Sequence, residues 1–394
     1  MAEGSSPMSL LKVQTIIPRQ SDVSKMCPSA GRYCLQYLKI DCENTDIPIE
    51  RSGHRIIVTA NHIFVIGGFN PTYSELFNEV WSFNISTNVW TKLKTTGPAP
   101  TQVASHSMCL LGNSIIVFGG SGLPFGMNSS NDIYQLDLLK QEWQLIPCQP
   151  LNGDAANFPS KRYGHTMHPI DNYIYICGGT EGTIYMLDLY RLELNTKSWE
   201  YIECKNPPEP RYRHETVVES KKLYIFGGGT NFSVFDLIKI PVLDFDTFCW
   251  SYITSSRDIK NGLPLDRKCH GCVHYKHYVY ICGGTKNKII FKDVWRFSLK
   301  SHRWTYVGEM PKNLYFHGSA VSPNGCMYLF GGVTENEQRV NTLFRMQLDV
   351  PSLQEMCWRY ICHYSSHLYL KKASELREIG IPSHLIKRMT NCLL

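Results

Sequence analysis

The amino-acid sequence predicts an all-β fold, a six-bladed β-propeller, which is followed by a short helical segment. Three features predict the propeller: a Gly-Gly doublet that recurs six times, a histidine before each doublet, and a tryptophan after five of them. Self-similarity at a regular period is typical of repeat architectures, in which each unit buries its surface against its neighbours. A register that joins three residue types in this way is not expected by chance.

The doublets end short apolar runs, and their first glycines are Gly67, Gly119, Gly178, Gly227, Gly283 and Gly331. The preceding histidines are His54, His106, His165, His214, His270 and His317. The interval from histidine to first glycine is identical in five repeats, and it is longer by a single position in the sixth. The tryptophans follow the doublets within a similarly narrow window, at Trp90, Trp143, Trp199, Trp250 and Trp304.

Each repeat predicts four short antiparallel strands, as in HTMHPID, the apolar Gly-Gly run, DLYRLEL and SWEYI. One such sheet cannot bury both of its faces, whereas six sheets packed radially can. We expect the glycines where the backbone packs closely or has a positive φ, and the tryptophans in the wedge between blades. One histidine per blade at a fixed register predicts a shared hydrogen bond of the framework.

This pattern resembles the kelch repeat, and six units extend from residue 54 to about residue 349. Blade six has three strands (HGSAV, CMYLFGG and TLFRMQL), but no fourth strand follows them directly. We predict that residues 31–40 (GRYCLQYLKI) supply the missing strand, so that the propeller spans residues 31–349. The alternative is an ordered N-terminal arm that packs elsewhere. Residues 1–30 are predicted to form a disordered tail.

Composition narrows the function classes. With 43% hydrophobic and 19% charged residues the chain suits a soluble globular protein, and a net charge of +6 without a dense basic run does not indicate nucleic-acid binding. No run of 18 apolar residues predicts a membrane span, and the N-terminal sequence has no secretory pattern. Fifteen cysteines are therefore expected as free thiols, which indicates a cytoplasmic or nuclear protein.

Residues 350–394 predict a separate helical segment. Trp358 lies further from Gly331 than any of the other tryptophans lies from its own doublet, so it does not continue their series. Pro351 disfavours a strand, and Ser352 is a good N-cap for a helix whose apolar residues recur at helical spacing. A second helix is expected with Ser374 as its N-cap and Gly380 as its stop, and a third with Pro382 in its first turn.

The first of these helices resembles the BC-box, which binds elongin C. Its motif residues are Ser352, Leu353, Cys357 and Ile361, and the last three form one apolar stripe suited to helix-in-groove recognition. The third helix resembles the cullin-2 box through Ile381, Pro382 and Leu385, although His384 stands where an apolar residue is expected. The alternative is a helical cap that packs on the propeller.

Stretches such as LPFGMNSSND, RKCHGCV and YFHGSAVSPNGCMYLFGGV are similar to kelch-repeat substrate receptors of cullin-2–elongin B/C ubiquitin ligases. The resemblance implies four partners: elongin C, elongin B, cullin-2 with its RING subunit, and substrates captured by a C-terminus that ends in a small residue such as Gly or Ala. It implies no catalytic residue, cofactor or metal. The alternatives are a non-ligase kelch interaction scaffold and, less favoured, a kelch-fold enzyme.

Alternating strand direction places the loops after the doublets and the loops before the histidines on one face. The predicted site for a substrate C-terminus combines basic, aromatic and hydroxyl residues of these loops: Arg162, Arg211, Arg213, Arg267, Tyr163, Ser121, Thr180 and Thr230. Arginines can bind a terminal carboxylate through paired, charge-assisted hydrogen bonds, and we expect Arg211 and Arg213 to be the main anchors. The alternative is that these arginines are surface residues or pair between blades.

Overall fold

The computed structural model describes residues 38–39 and 46–389. In these residues the chain forms six antiparallel sheets with four main strands each. The first three blades comprise β2 (Arg55–Val58), β3 (His62–Ile66), β4 (Val80–Asn84) and β5 (Val89–Lys92); β6 (Ser107–Leu111), β7 (Ser114–Phe118), β8 (Ile133–Asp137) and β9 (Glu142–Leu145); β10 (Thr166–Ile170), β11 (Tyr173–Thr180), β12 (Tyr185–Glu193) and β13 (Ser198–Ile202).

The next two blades comprise β14 (Glu215–Glu219), β15 (Lys222–Phe226), β16 (Lys239–Asp244) and β17 (Cys249–Thr254); β18 (Gly271–Tyr275), β19 (Tyr278–Cys282), β20 (Asp293–Ser298) and β21 (Trp304–Glu309). Short extra strands lie in the loops, at Phe69–Asn70, Glu75–Leu76, Gln149–Pro150, Thr285–Lys286 and Ile289–Ile290. Two 3-10 turns, Leu151–Gly153 and Ala155–Asn157, lead into blade three.

Blade six joins the two ends of the ring. Its three consecutive strands are β22 (Gly318–Val321), β23 (Cys326–Phe330) and β24 (Leu343–Gln347), and its fourth strand is β1 (Leu38–Lys39). Leu38 pairs with Arg345 and Lys39 with Phe344, antiparallel to β24. These two residues of the predicted segment 31–40 thus occupy the position of the missing strand. The rest of that segment and the predicted tail 1–30 lie outside the described residues. The predicted fold class is confirmed.

The Gly-Gly doublets fit between the histidines of neighbouring blades. A Cβ atom on Gly67 would lie 2.2 Å from the carbonyl oxygen of Val103 and 2.8 Å from Cε1 of His106 in the next blade, and the φ angle of Gly67 is +73°. A Cβ on Gly68 would lie 2.9 Å from Cβ of His54 in the same blade. The expected close approach with positive φ is confirmed, and it explains why doublet and histidine recur together.

The six repeat histidines are all buried. Their hydrogen bonds differ, however: Nε2 of His54 bonds the carbonyl oxygen of Phe330 at 3.0 Å, whereas Nε2 of His165 lies 2.5 Å from the Ser107 hydroxyl. The prediction of one shared hydrogen bond is therefore wrong. The feature that the histidines share is the contact with glycine, because each ring fills the space that a glycine side chain leaves free.

The repeat tryptophans lie between blades, as predicted. Trp90 of blade one packs on Phe330 of blade six with ring centroids 5.2 Å apart, and Trp199 of blade three packs on Phe118 of blade two at 5.3 Å. Each ring thus fills the space towards the preceding blade. A buried indole contributes a large apolar surface at a position where two sheets diverge.

The C-terminal segment, here called the appendage (residues 350–389), contains α1 (Leu353–Tyr364), a 3-10 helix (Ser366–Leu370), α2 (Ala373–Glu378) and α3 (Ser383–Met389). Ser352 Oγ accepts a hydrogen bond from Glu355 N, which confirms the predicted N-cap. The predicted N-cap of the second helix is wrong, because α2 begins at Ala373 with Lys372 as its N-cap and Ser374 lies inside the helix. α3 begins directly after Pro382. Trp358 belongs to a separate small core with Leu368, Leu376, Leu385, Ile386 and Met389. None of the helices that the structure describes is long and apolar enough to cross a membrane.

The appendage packs against blades one and six. It contacts the side of the propeller that carries the turns between the first and second strands and between the third and fourth strands of each blade, and we call this side the turn face. Trp358 Nε1 donates to Ser86 Oγ at 3.1 Å, and Asn84 Nδ2 donates to the Arg388 carbonyl at 3.1 Å. Buried Glu355 accepts hydrogen bonds from Arg359 and Arg388, both at 2.9 Å. Burial opposes the charge of Glu355, but the cation of Arg388, together with that of Arg359, holds its pKa below its usual value.

Candidate ligand-binding face and helical docking surface

The opposite side of the propeller, here called the loop face, consists of the segments that follow the doublets and the segments that precede the histidines. In every blade the residue two positions before the histidine forms an isolated antiparallel bridge with a residue that follows the doublet. Examples are Tyr163 with Thr180, Tyr212 with Gly229, and Tyr315 with Val333. The two sets of loops therefore share one face, as the alternating strand direction predicts.

A closed ring of backbone hydrogen bonds surrounds the propeller axis at this face. Its members are the residues directly before the six histidines: Gly53, Ser105, Gly164, Arg213, Cys269 and Phe316. Each amide donates to the carbonyl of the preceding blade over 2.7 to 3.2 Å, and Gly53 closes the ring by donating to Phe316. All six residues have a positive φ. We call this set the axial ring.

Arg213 is the charged member of the axial ring. Its guanidinium carbon lies 4.2 Å from the centroid of Phe316, two blades away, and 4.8 Å from the centroid of Tyr212. Its Nη1 lies 3.8 Å from the thiol of Cys269. No acidic partner of Arg213 occurs among the described residues, and its buried Nε makes no hydrogen bond there. This guanidinium can therefore accept an anion through charge-assisted hydrogen bonds.

Aromatic residues form one wall around Arg213. Tyr163 and Tyr212 pack edge to face at 6.2 Å, Phe125 adds to Tyr163 at 5.2 Å, and Tyr185 adds to Tyr212 at 5.2 Å. A second cation, Lys268, lies 5.8 Å from the Tyr212 centroid. The predicted site residue Tyr163 thus belongs to this wall. Tyr163 and Tyr212 are buried within it, and Phe125 remains exposed near the positive charge.

Three of the predicted arginine anchors lie inside the framework instead. Arg162 and Arg267 are fully buried, and each donates two hydrogen bonds to an aspartate, Asp188 at 2.6 and 2.9 Å and Asp293 at 2.7 and 2.8 Å. Each also donates to the carbonyl of the first glycine of its own doublet. These contacts correspond to the alternative of ion pairs within the framework, because the donors that a ligand would need are already used.

Arg211 occupies the same register without a carboxylate partner. It donates to the carbonyls of Glu209 and Gly227, and its guanidinium lies 4.0 Å from the centroid of Phe235. Burial lowers its pKa to about 10. Leu237 stands at the position where blades three and five have their aspartates. Arg211 is therefore a framework residue, and Arg213 alone of the four arginines lies on the axial ring.

The predicted hydroxyl residues close turns. Thr180 Oγ1 donates to the Ile184 carbonyl at 2.6 Å, and Ser121 Oγ accepts from the Gly126 amide at 2.8 Å; both residues are fully buried. Thr230 Oγ1 accepts from two amides of its own loop. These hydrogen bonds shape the loops around the site. Burial keeps Ser121 and Thr180 from contacting a ligand, whereas Thr230 is partly exposed.

An ion pair crosses the axis below the ring. Arg55 of blade one donates to Glu215 of blade four at 2.8 Å and to the His106 carbonyl of blade two at 3.2 Å. Sequence reasoning missed this pair, since the two residues are 160 positions apart. The available signal was the register: both residues directly follow a repeat histidine, as Arg213 directly precedes one.

Exposed apolar side chains surround the loop face at a greater distance from the axis. Phe232 is 95% exposed, and similar residues project from other loops that follow doublets, namely Tyr73, Leu123, Phe125, Met127, Ile184 and Ile289. Single exposed apolar residues are common in soluble proteins, but here they occur on corresponding loops of five blades. Their placement adds apolar contact area around the charged centre.

A second exposed surface lies on α1, away from the propeller. Leu353 is 72% exposed and Ile361 38% exposed, and Cys357 between them is also exposed. The residues of α1 that face the protein are Trp358 and Glu355. The predicted stripe, whose members follow one another at about one helical turn, is thus left uncovered by the described residues.

The predicted cullin-2 residues divide into two groups. Pro382 is exposed and Ile381 is partly exposed, whereas Leu385 is buried in the appendage core. Leu385 therefore holds α3 in place rather than presenting a surface. His384 is exposed, and its Nε2 lies 2.7 Å from the side-chain amide of Gln354 on α1. Among the described residues, no group of three or more His, Cys, Asp or Glu side chains is arranged to hold a metal ion.

Comparison with known proteins agrees with this architecture. The family model described as the KLHDC2/KLHL20/DRC7 Kelch-repeats domain matches residues 34–155 and 149–308. Kelch domain-containing protein 10 of Xenopus tropicalis is 37% identical over 380 residues, covering 92% of this chain and 90% of the relative. The human protein of that name is 37% identical over 359 residues (87% and 80%), and the Drosophila melanogaster homolog is 34% identical over 410 residues (93% and 67%). The chain therefore belongs to the Kelch domain-containing protein 10 family of kelch-repeat proteins.

Proposed function

We propose that this protein is the substrate receptor of a cullin-2–elongin B/C ubiquitin ligase, acting in the cytoplasm or nucleus. In this proposal the appendage binds elongin C and cullin-2, and the loop face binds the free C-terminus of a target protein. The observation that carries the proposal is the exposed stripe of Leu353, Cys357 and Ile361 on α1, which coincides with the BC-box pattern.

The stripe fits helix-in-groove recognition. Helices that bind in this way place apolar residues of one face into a hydrophobic groove, and the small side chain of Cys357 permits close approach. The stripe stays accessible because Trp358 and Glu355, on another side of α1, anchor the helix to the turn face. The partner would therefore bind without displacing the contacts that hold the appendage.

Co-purification with elongin B/C tests this part of the proposal. We expect the wild-type protein to retain the elongin pair, and the double variant Leu353→Lys with Cys357→Lys to lose it, because two charges would enter an apolar groove. Leu370, which is 74% exposed in the 3-10 helix outside the motif, supplies the matched control Leu370→Lys. Retention of elongin B/C by the double variant would exclude this mode of binding.

The loop face supports recognition of a chain end. Arg213 lies at the axial ring with no acidic partner among the described residues, Lys268 lies nearby, and an aromatic wall flanks both. A terminal carboxylate complements this positive centre, and the last side chains of an extended peptide would contact the aromatic wall and the exposed loop residues. Such an arrangement favours a free carboxylate over an amide, because the amide carries no charge.

Paired peptides test the carboxylate model. We expect a peptide ending in glycine with a free carboxylate to bind more tightly than the same peptide with an amidated end. Equal affinities for the two peptides would exclude carboxylate recognition. A library of peptides that vary in the last residues would then define which chain ends are preferred.

A general kelch interaction scaffold is the second candidate, and the exposed apolar residues of the loops favour it independently of the charged centre. A scaffold would bind an internal segment or a folded surface through these loops and would not need elongin. Failure to retain elongin B/C, together with equal binding of free and amidated peptides, would favour this second candidate.

A further inference from the structure

Arg55, near the propeller axis, does not use all of its guanidinium nitrogens in hydrogen bonds to the described residues. Arg55 makes one hydrogen bond to Glu215, between Nη1 and Oε1, and one from Nε to the His106 carbonyl. Its Nη2 has no hydrogen bond to any residue that the structure describes. The buried arginines Arg162 and Arg267, in contrast, each use two guanidinium nitrogens on one carboxylate, that of Asp188 or Asp293. Arg55 therefore retains hydrogen-bonding capacity.

Contacts with several blades place the Arg55 guanidinium near the axis. It reaches blades two and four from blade one, and blade four lies diametrically opposite blade one in a ring of six. Burial lowers the pKa of His106, His165, His214 and His270, and the charge of Arg55 contributes to the shift in each of them. A charge felt in four successive blades lies close to their common centre.

The pair also forms the floor of the site. Glu215 lies two residues after Arg213 at the start of β14, and its bond to Arg55 spans the channel beneath the axial ring. The Arg55 side chain is 30% exposed and that of Glu215 18%, so both remain reachable by solvent. Arg55 and Arg213 together carry two positive charges against the single negative charge of Glu215, which leaves a surplus positive charge at the axis.

We propose that Arg55 is the second anion-binding residue of the axial site, and that Glu215 both fixes it on the axis and competes with the incoming carboxylate. The ligand would be a chain end, because a terminal carboxylate complements the surplus positive charge that Arg55 and Arg213 leave at the axis. This inference rests on the proposed function for the nature of the ligand, a C-terminal carboxylate. To that function it adds a second anion-binding residue, Arg55, below the axial ring. It also adds a carboxylate, Glu215, that lowers the affinity because it competes with the ligand for Arg55.

Four variants of the full chain test the inference. Arg55→Met is expected to weaken binding of a free-carboxylate peptide ending in glycine by about tenfold or more, as expected for loss of a charge-assisted hydrogen bond. Arg55→Lys should restore part of that loss. Glu215→Gln should raise the affinity by about threefold, because a competing charge is removed. Arg191→Met, which breaks the Arg191–Glu200 ion pair on the outer strands of blade three, is the matched control.

Two additional ligands separate the possible failures. An amidated peptide ending in glutamate shows whether a side-chain carboxylate can replace the chain end; equal binding of this peptide would overturn the chain-end assignment. N-acetylglycine at millimolar concentration reports on the anion site alone through a rise in melting temperature. If it stabilises Arg55→Met as much as the wild type, or stabilises neither, the inference is overturned. Loss of the difference between free and amidated peptides in the wild type would instead count against the proposed function.

Discussion

The guanidinium of Arg213 lies 4.2 Å from the ring centroid of Phe316, although the two residues belong to blades four and six. The contact is possible because both residues belong to the axial ring, where residues of all six blades surround the propeller axis. The aromatic face holds the cation in position without neutralising it. A cation fixed in this way is pre-organised for an anion, which reduces the entropic cost of binding.

The different environments of two arginines predict different outcomes for the same substitution. Arg213→Met should weaken binding of a free-carboxylate peptide at least tenfold while leaving the protein folded, because its side chain has no acidic partner among the described residues. Arg162→Met should lower the free energy of unfolding by about 3–5 kcal/mol, because Asp188 loses its buried partner. Isothermal titration and urea unfolding measure the two effects. A peptide-binding defect of Arg162→Met in a fully folded protein would contradict the framework role.

The appendage contains residues that stabilise its core and others that are exposed for docking, and substitutions of the two kinds should have different effects on its stability. Trp358→Ala should destabilise the appendage by about 3–5 kcal/mol, because Trp358 is the largest side chain of its small core and also bonds Ser86. Hydrogen exchange should then show loss of protection in α1 and α3, with the propeller unchanged. Leu353→Lys should leave that protection intact, since Leu353 is exposed. Equal protection in wild type and Trp358→Ala would show that the core does not depend on the indole.

The buried histidines predict a loss of stability in mild acid. Burial, followed by neighbouring positive charges, lowers the pKa of His106 and His214 to about 3, and burial lowers that of His317 to about 4. The unfolded chain takes up these protons below about pH 6.5, whereas the folded protein excludes them, so stability falls as the pH decreases from about 6.5 towards 4.

Each such histidine should cost about 2 kcal/mol of folding free energy at pH 5 relative to pH 7.5. Urea unfolding at the two pH values, at constant ionic strength, measures the difference. His106→Gln should reduce the difference in unfolding free energy between the two pH values by the contribution of one histidine. The same substitution is expected to lower stability at neutral pH. An unfolding free energy that is independent of pH between 7.5 and 5 would contradict this account.

Two glycines with positive φ are expected to differ in how strongly an alanine substitution destabilises the protein. Gly67→Ala should be strongly destabilising, because the new Cβ would lie 2.2 Å from a backbone carbonyl in addition to the unfavourable φ. Gly112→Ala should cost only about 1 kcal/mol, because Gly112 also has a positive φ but no atom lies within 4 Å of its Cβ position. Thermal melts of both variants give the comparison, and similar losses would show that backbone strain rather than packing dominates.

Much of the fold was predictable because its signals are local and repeated. The doublets, histidines and tryptophans mark equivalent positions of each blade, and Ser352 marks the start of α1 as expected. The different hydrogen bonds of the histidines were not predictable, because the partner comes from whichever atom the neighbouring blade presents. The exposure of Leu353 was equally hidden, since an amphipathic pattern does not reveal which side of a helix faces its own protein.

The sequence by itself determined the number of blades, the register of their recurring contacts with glycine and tryptophan, and the change from strands to helices near Pro351. Only the tertiary structure decided which residue of Pro-Arg-Tyr-Arg-His at positions 210–214 is structural and which can bind a ligand. Arg211 points into the blade and Arg213 lies on the axial ring, two positions apart along the chain. The tertiary structure also brought Arg55 to Glu215, because ring closure places blade one opposite blade four. The repeat pattern marks equivalent positions within single blades. Contacts across the axis, in contrast, exist only once all six blades are assembled.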